Sequence, residues 1–125
     1  MAKVLIVDDD RDTRETLSDW LVREHDVRVA ASVPDALTLV GREVPDVLVV
    51  DFEMPPYRGD DLLAMMAERH PHVGRILHTG APGRALGFAY SVADRVFKKG
   101  CDLHELSAAI YEILGARHRA AAQRG

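Results

Sequence analysis

A chain of 125 residues, 47% apolar and 29% charged, suits one globular domain and is too short for two ordinary ones. Its formal charge of −4 argues against general affinity for nucleic acid or an anionic membrane. Cys101 is the single cysteine and forms no internal disulfide, no apolar run approaches a span of about 18 residues, and the amino terminus lacks a signal peptide's pattern, so a cytoplasmic chain is expected.

The first strand is predicted over Lys3–Val7, and it runs straight into Asp8-Asp9-Asp10. A helix follows from about Arg11 to Arg23, with Leu17, Trp20 and Leu21 as its apolar stripe and Glu24 continuing the spacing. Val27–Ala31 reads as a short second strand. Ser32-Val33-Pro34-Asp35 then gives an N-cap serine, an early proline and an acid three residues on, which starts a second helix ending near Gly41–Glu43. Pro45 breaks the chain before a third strand, Val47–Val50, whose apolar, mostly β-branched run indicates burial on both faces.

Asp51 ends that strand, and Met54-Pro55-Pro56-Tyr57-Arg58-Gly59 reads as a loop. A third helix over about Asp60–Arg69 buries Leu62, Leu63, Met65 and Met66 before Pro71 stops it. Arg75–His78 is the fourth strand, closed by Thr79-Gly80. A short, glycine-interrupted helix over Arg84–Val92 and a fifth strand over Arg95–Lys98 follow. Asp102 caps a last helix with Leu103, Leu106, Ile110, Ile113 and Leu114 on one stripe.

Five strands alternating with five helices call for right-handed crossovers and a parallel sheet covered on both faces. All carboxyl ends of the strands then share one edge, where open α/β sheets place their ligands. That edge carries Asp8 and Asp9, Asp51, Thr79, and Lys98 with Lys99. Two carboxylates about 4 Å apart repel by roughly 4 kcal/mol at an effective dielectric of 20, so such a gathering of acids calls for a cation.

Taken in order, Val4-Leu5-Ile6-Val7-Asp8-Asp9-Asp10, Asp51-Phe52-Glu53-Met54-Pro55 with Gly59, Thr79-Gly80, and Lys99 before Asp102-Leu103 resemble the receiver domains of two-component response regulators, over essentially the full chain. The resemblance implies a flavodoxin-like, doubly wound (βα)5 fold, an α/β class with a five-stranded parallel sheet of order 2-1-3-4-5. It implies a receiver domain over residues 1–118, with 119–125 a short basic tail expected to fray. Asp51 is implied as the phosphoacceptor. Asp8, Asp9, Asp51 and the main-chain carbonyl of Glu53 are implied as holding Mg²⁺. Thr79 would offer its hydroxyl to the phosphoryl group, and Lys99 its ammonium. Lys98 competes with Lys99 if the strand runs one residue differently.

The implied protein is a switch rather than a turnover enzyme, charged by a histidine kinase or a phosphotransfer protein. Its output would reach a downstream protein through the fourth helix, fifth strand and fifth helix, a face that is also the candidate homodimer surface. No direct contact with nucleic acid or membrane is implied. Several residues depart from the family pattern. Gly100 stands where proline usually follows the lysine, and Val96 where many receivers carry an aromatic residue, with Phe97 or Tyr90 as candidate substitutes. Tyr57-Arg58 replaces the more usual Met-Asp before Gly59.

Without the others, each motif has an ordinary reading: an acidic helix start, a loop acid, a turn threonine, a solvated lysine pair. His70-Pro71-His72 reads as a solvated turn, and His78 as a satisfied core or edge histidine. Two other functions compete. One is a receiver-like interaction module that works without phosphorylation, motivated by Gly100 and Val96. The other is a haloacid-dehalogenase-type phosphohydrolase, which wants a second aspartate where this chain has Glu53.

Overall fold

In a computed structural model that describes residues 1–81 and 83–124, seven strands and five α-helices alternate. In chain order they are β1 (Ala2–Val7), α1 (Arg11–Leu21), β2 (His25–Ala30), α2 (Val33–Arg42), β3 (Val47–Val50), β4 (Glu53–Met54) and β5 (Tyr57–Arg58). Then come α3 (Gly59–Arg69), β6 (Gly74–Thr79), a 3-10 turn (Gly83–Leu86), α4 (Ala89–Val92), β7 (Arg95–Lys98) and α5 (Leu103–Arg124). No helix among the described residues is long and apolar enough to cross a membrane.

Five strands form one sheet in the order β2-β1-β3-β6-β7, and every pairing in it is parallel. Counting only these strands, the order is the expected 2-1-3-4-5. Alternation along the strands sends side chains to two cores. Leu5, Val7, Leu48, Val50 and Leu77 pack with α2 and α3 through Val33, Ala36, Val40, Leu62, Leu63 and Met66. Val4, Ile6, Val47, Val49 and Ile76 pack on the other face with Leu17 and Leu21 of α1 and Leu106, Ile110 and Ile113 of α5. All four residues of β3 are buried, which is the signature of a strand covered on both faces.

The helix starts obey local chemistry. Asp10 caps α1 by accepting the Thr13 amide at 3.3 Å and the Thr13 hydroxyl at 2.5 Å. Ser32 caps α2 by accepting the Asp35 amide at 3.2 Å, with Pro34 in the first turn.

Some local expectations change. The segment after Asp51 is a small antiparallel hairpin, with Glu53 opposite Arg58 and Met54 opposite Tyr57, rather than a plain loop. Pro55 and Pro56 form its turn, and burial of Met54 anchors it. The fourth helix divides into the 3-10 turn and a four-residue α4, because Gly87 interrupts it. Helix α1 stops at Leu21, and Glu24 turns away to accept a hydrogen bond from the Tyr111 hydroxyl. Helix α5 runs on through residues 119–124, and Gly125 lies outside the described residues.

Candidate functional site

The sheet order reverses between β1 and β3, so the exits of these two central strands lie side by side. Ladder hydrogen bonds continue one residue past each strand. The Asp8 amide donates to the Ala30 carbonyl at 3.1 Å, the Asp51 amide to the Val7 carbonyl at 2.9 Å, and the Lys99 amide to the Thr79 carbonyl at 2.9 Å. Asp8, Asp51 and Lys99 are therefore held by the sheet itself, which gives their side chains a rigid base.

Asp8, Asp9 and Asp51 each offer a carboxylate oxygen, and these atoms lie within 4.8 Å of one another. Asp8 and Asp51 are 2% and 5% exposed, whereas Asp9 faces solvent. Lys99 Nζ sits 3.3 Å from Asp8 Oδ2 and 3.3 Å from Asp51 Oδ2, bridging the two buried acids. Lys98 is exposed, and its backbone pairs with Thr79. Lys99 is thus the lysine that enters.

Electrostatics follow from that crowding. Burial raises the Asp8 carboxyl above its ordinary range, and the nearby Asp51 charge adds to the rise. The Asp10 amide, donating to Asp8 Oδ1 at 2.9 Å, and the Lys99 charge pull the other way without prevailing. Burial alone would lower the Lys99 ammonium. The charges of Asp51 and Asp8 and its hydrogen bonds to them more than offset this, so Lys99 is raised and stays protonated. One ammonium facing three carboxylates leaves net negative charge at a partly open site. Hard oxygen donors with an open, solvated side suit a small divalent cation.

The surrounding parts are equally specific. Gly59 is required because a Cβ there would lie 1.9 Å from the Asp51 carbonyl oxygen. Thr79 is buried at the end of β6, and its Oγ1 accepts the Ala81 amide at 3.0 Å. Gly100 has φ of +90°, the left-handed region that glycine enters without strain, directly after Lys99. Glu53 is exposed at the start of the hairpin, two residues past Asp51.

Val96 and Tyr90 line one groove with Thr79, Gly80 and Ala81, a cavity of about 420 Å³, and Tyr90 is exposed at its rim. Phe97 packs against the core shared by α1 and α5. His78 is buried, as a core histidine should be, yet its Nδ1 has no hydrogen-bond partner among the described residues. Burial lowers the pKa of His78, and the Lys99 charge lowers it further against the opposing pull of Asp51. His70 and His72 flank an exposed turn with ring centroids 6.5 Å apart, and neither belongs to the acid cluster.

Two contributions escape a reading of motifs alone. Arg14 Nη1 donates to the Asp8 carbonyl at 2.9 Å, steadying the strand exit from the first turns of α1. Arg58 grips the fully buried Asp60 with two hydrogen bonds, at 3.0 and 2.5 Å. An arginine and an acid two residues apart across a strand-to-helix junction have no periodic signature.

Comparison with known proteins agrees with this geometry. The family model described as the response regulator receiver domain matches residues 4–111. The chain is 40% identical over 88 residues to the response regulator protein FleR of Pseudomonas aeruginosa, which covers 68% of this chain and 19% of FleR. It is 34% identical over 119 residues to the response regulator protein PilR of the same organism, covering 93% of this chain and 27% of PilR. The chain thus spans between a fifth and about a quarter of the length of these two relatives. Among solved structures, the signal receiver domain of an HD domain-containing protein from Pseudomonas fluorescens Pf-5 superposes with a TM-score of 0.90 at 26% identity, covering 97% of this chain and 92% of that one.

Proposed function

The chain belongs to the response regulator receiver domain family, and from that premise we propose that Asp51 accepts a phosphoryl group in a Mg²⁺-dependent reaction. The observation that carries this reading is the convergence of Asp8, Asp9 and Asp51 within 4.8 Å at the sheet's carboxyl edge, with Lys99 bridging two of them. Asp8, Asp9, an Asp51 oxygen and the Glu53 main-chain carbonyl would hold the ion. Once bound, Mg²⁺ supplies positive charge against the oxygens of the transferring group and relieves the repulsion among the acids.

The residues of the chain do the rest. An Asp51 carboxylate oxygen attacks phosphorus in line, forming a P–O bond as the P–N bond of a phosphohistidine donor breaks. The imidazole departs with the bonding pair. Lys99, already 3.3 Å from Asp51, turns its ammonium toward the incoming phosphoryl oxygens. Thr79 accepts from the Ala81 amide, which leaves its own O–H free to donate to a phosphoryl oxygen.

Signal output follows from that hydroxyl. Phosphorylation adds about 1.5 to 2 units of negative charge and new acceptor oxygens. As Thr79 moves toward them, the Ala81 amide and the segment leading to α4 move with it. The face built from α4, β7 and α5 changes, and a downstream protein reads the change. The donor is a histidine kinase or a phosphotransfer protein.

Acetyl phosphate supplied with Mg²⁺ tests the reading without a cognate kinase. Intact mass should rise by one phosphoryl group in the wild-type chain and stay unchanged in Asp51→Asn. A wild-type chain that gains nothing under these conditions contradicts it.

A further inference from the structure

We infer that Arg58 is a positioning residue for the cation site, acting through the β4–β5 hairpin, an inference that rests on the reading of the acid cluster just given. The hairpin has two residues in each strand, too few to hold a shape by ladder hydrogen bonds alone. Arg58 lies directly opposite Glu53 in that ladder. Whatever fixes Arg58 therefore fixes the backbone of residue 53, the one proposed ligand supplied by main chain rather than by an acid.

Three contacts hold Arg58 in place. Its Nε and Nη2 donate to the two oxygens of Asp60 at 3.0 and 2.5 Å, a fork that sets orientation as well as distance. Asp60 is fully buried at the start of α3, so the anchor does not move with solvent. The guanidinium also lies 4.9 Å from the centre of the Phe52 ring, next to Asp51 in sequence. Between the two partners, Gly59 presses against the Asp51 carbonyl and donates its amide to the Phe52 carbonyl at 2.8 Å. Residues 51 to 60 thus form a closed loop that starts at the proposed phosphoacceptor and is clasped by a single arginine. Groups that orient metal ligands from behind typically change affinity by about 10- to 100-fold when removed.

The test is a calorimetric Mg²⁺ titration of the unphosphorylated full chain, for wild type, Arg58→Ala and Arg58→Lys. Arg58→Ala should weaken Mg²⁺ binding about tenfold, the low end of that range. The Mg²⁺ concentration for half-maximal phosphorylation by acetyl phosphate should rise by a similar factor, while the maximal rate falls less. Arg58→Lys keeps a cation near Asp60 and Phe52 but loses the fork, and should give a smaller shift in the same direction. It serves as the measured variant if Arg58→Ala does not fold. Wild-type protein that binds Mg²⁺, beside folded variants that bind it equally well, would overturn the positioning role alone. Wild-type protein that binds no Mg²⁺ would overturn the reading of the site and this role with it.

Discussion

Asp8 carries the tension of the site in one side chain. It is buried, it faces Asp51, and its folded-state pKa is raised by desolvation first and by that neighbouring charge second. A raised acid contributes stability below its unfolded value of about 3.9 and loses it as pH rises through the folded value. Above that folded value the ionised Asp8 works against folding in the absence of a cation. Two charges about 5 Å apart cost about 3 kcal/mol at an effective dielectric of 20, part of which Lys99 returns. Asp8→Asn keeps the acceptor for the Asp10 amide and removes the charge. The metal-free variant should melt several degrees above wild type at pH 7 while losing most of its Mg²⁺ affinity. Calorimetry with and without Mg²⁺ checks both, and a lower melting temperature in the metal-free variant would contradict the account. Gly59→Ala should act in the opposite direction. Its Cβ has no room beside the Asp51 carbonyl, so a loss of about 3 kcal/mol is expected in a denaturant titration, together with slower phosphorylation.

Elements differ in how openly the sequence announces them. The strand Val47–Val50 was legible to the residue, because an unbroken apolar run between Pro45 and Asp51 admits little else. The Ser32 cap was equally clear, since its hydroxyl, the proline and the acid all fall at their positions. The β4–β5 hairpin was not, because prolines in a Met-Pro-Pro-Tyr segment signal only that the chain turns. Its partner contacts come from Asp60 and Phe52, outside the segment. The start of β2 at His25 was hidden for the same reason. His25 and Asp26 carry no apolar pattern, and His25 is buried by tertiary contact with Tyr111 of α5, ring centroids 5.4 Å apart. That burial lowers its pKa, with the Glu24 charge opposing. His78 is lowered as well. A histidine lowered by folding contributes full stability above its unfolded value of about 6.5 and loses it as pH falls, because the unfolded chain takes up the proton first. In the Asp8→Asn background, where the opposing titration of that raised acid is removed, the urea midpoint should accordingly be lower at pH 5.5 than at pH 7.5, and His25→Gln should flatten the difference. A midpoint that rises on acidification over this window would contradict these assignments.

At the scale of the molecule, the sheet order does the functional positioning. Parallel strands place all their carboxyl ends along one edge, and the reversal between β1 and β3 brings Asp8 and Asp51 together from residues 43 apart in sequence. This much was readable from alternating strands and helices, and the acids were readable from their place at strand exits. Which lysine enters was not, because a one-residue shift of β7 exchanges Lys98 and Lys99. The backbone bond from Lys99 to Thr79 fixes that register. The groove beside Val96 was also hidden, since its volume depends on how a 3-10 turn and a four-residue helix cover it. The shared edge has one purpose in this account: to let a buried carboxylate become an acyl phosphate. Borohydride reduction after treatment with acetyl phosphate and Mg²⁺ reads that event directly, because it converts a phosphorylated aspartate to homoserine. Peptide mass mapping should find the conversion at residue 51 alone and lose it when Mg²⁺ is chelated. Conversion at another acid, or equal conversion without the cation, would contradict the account.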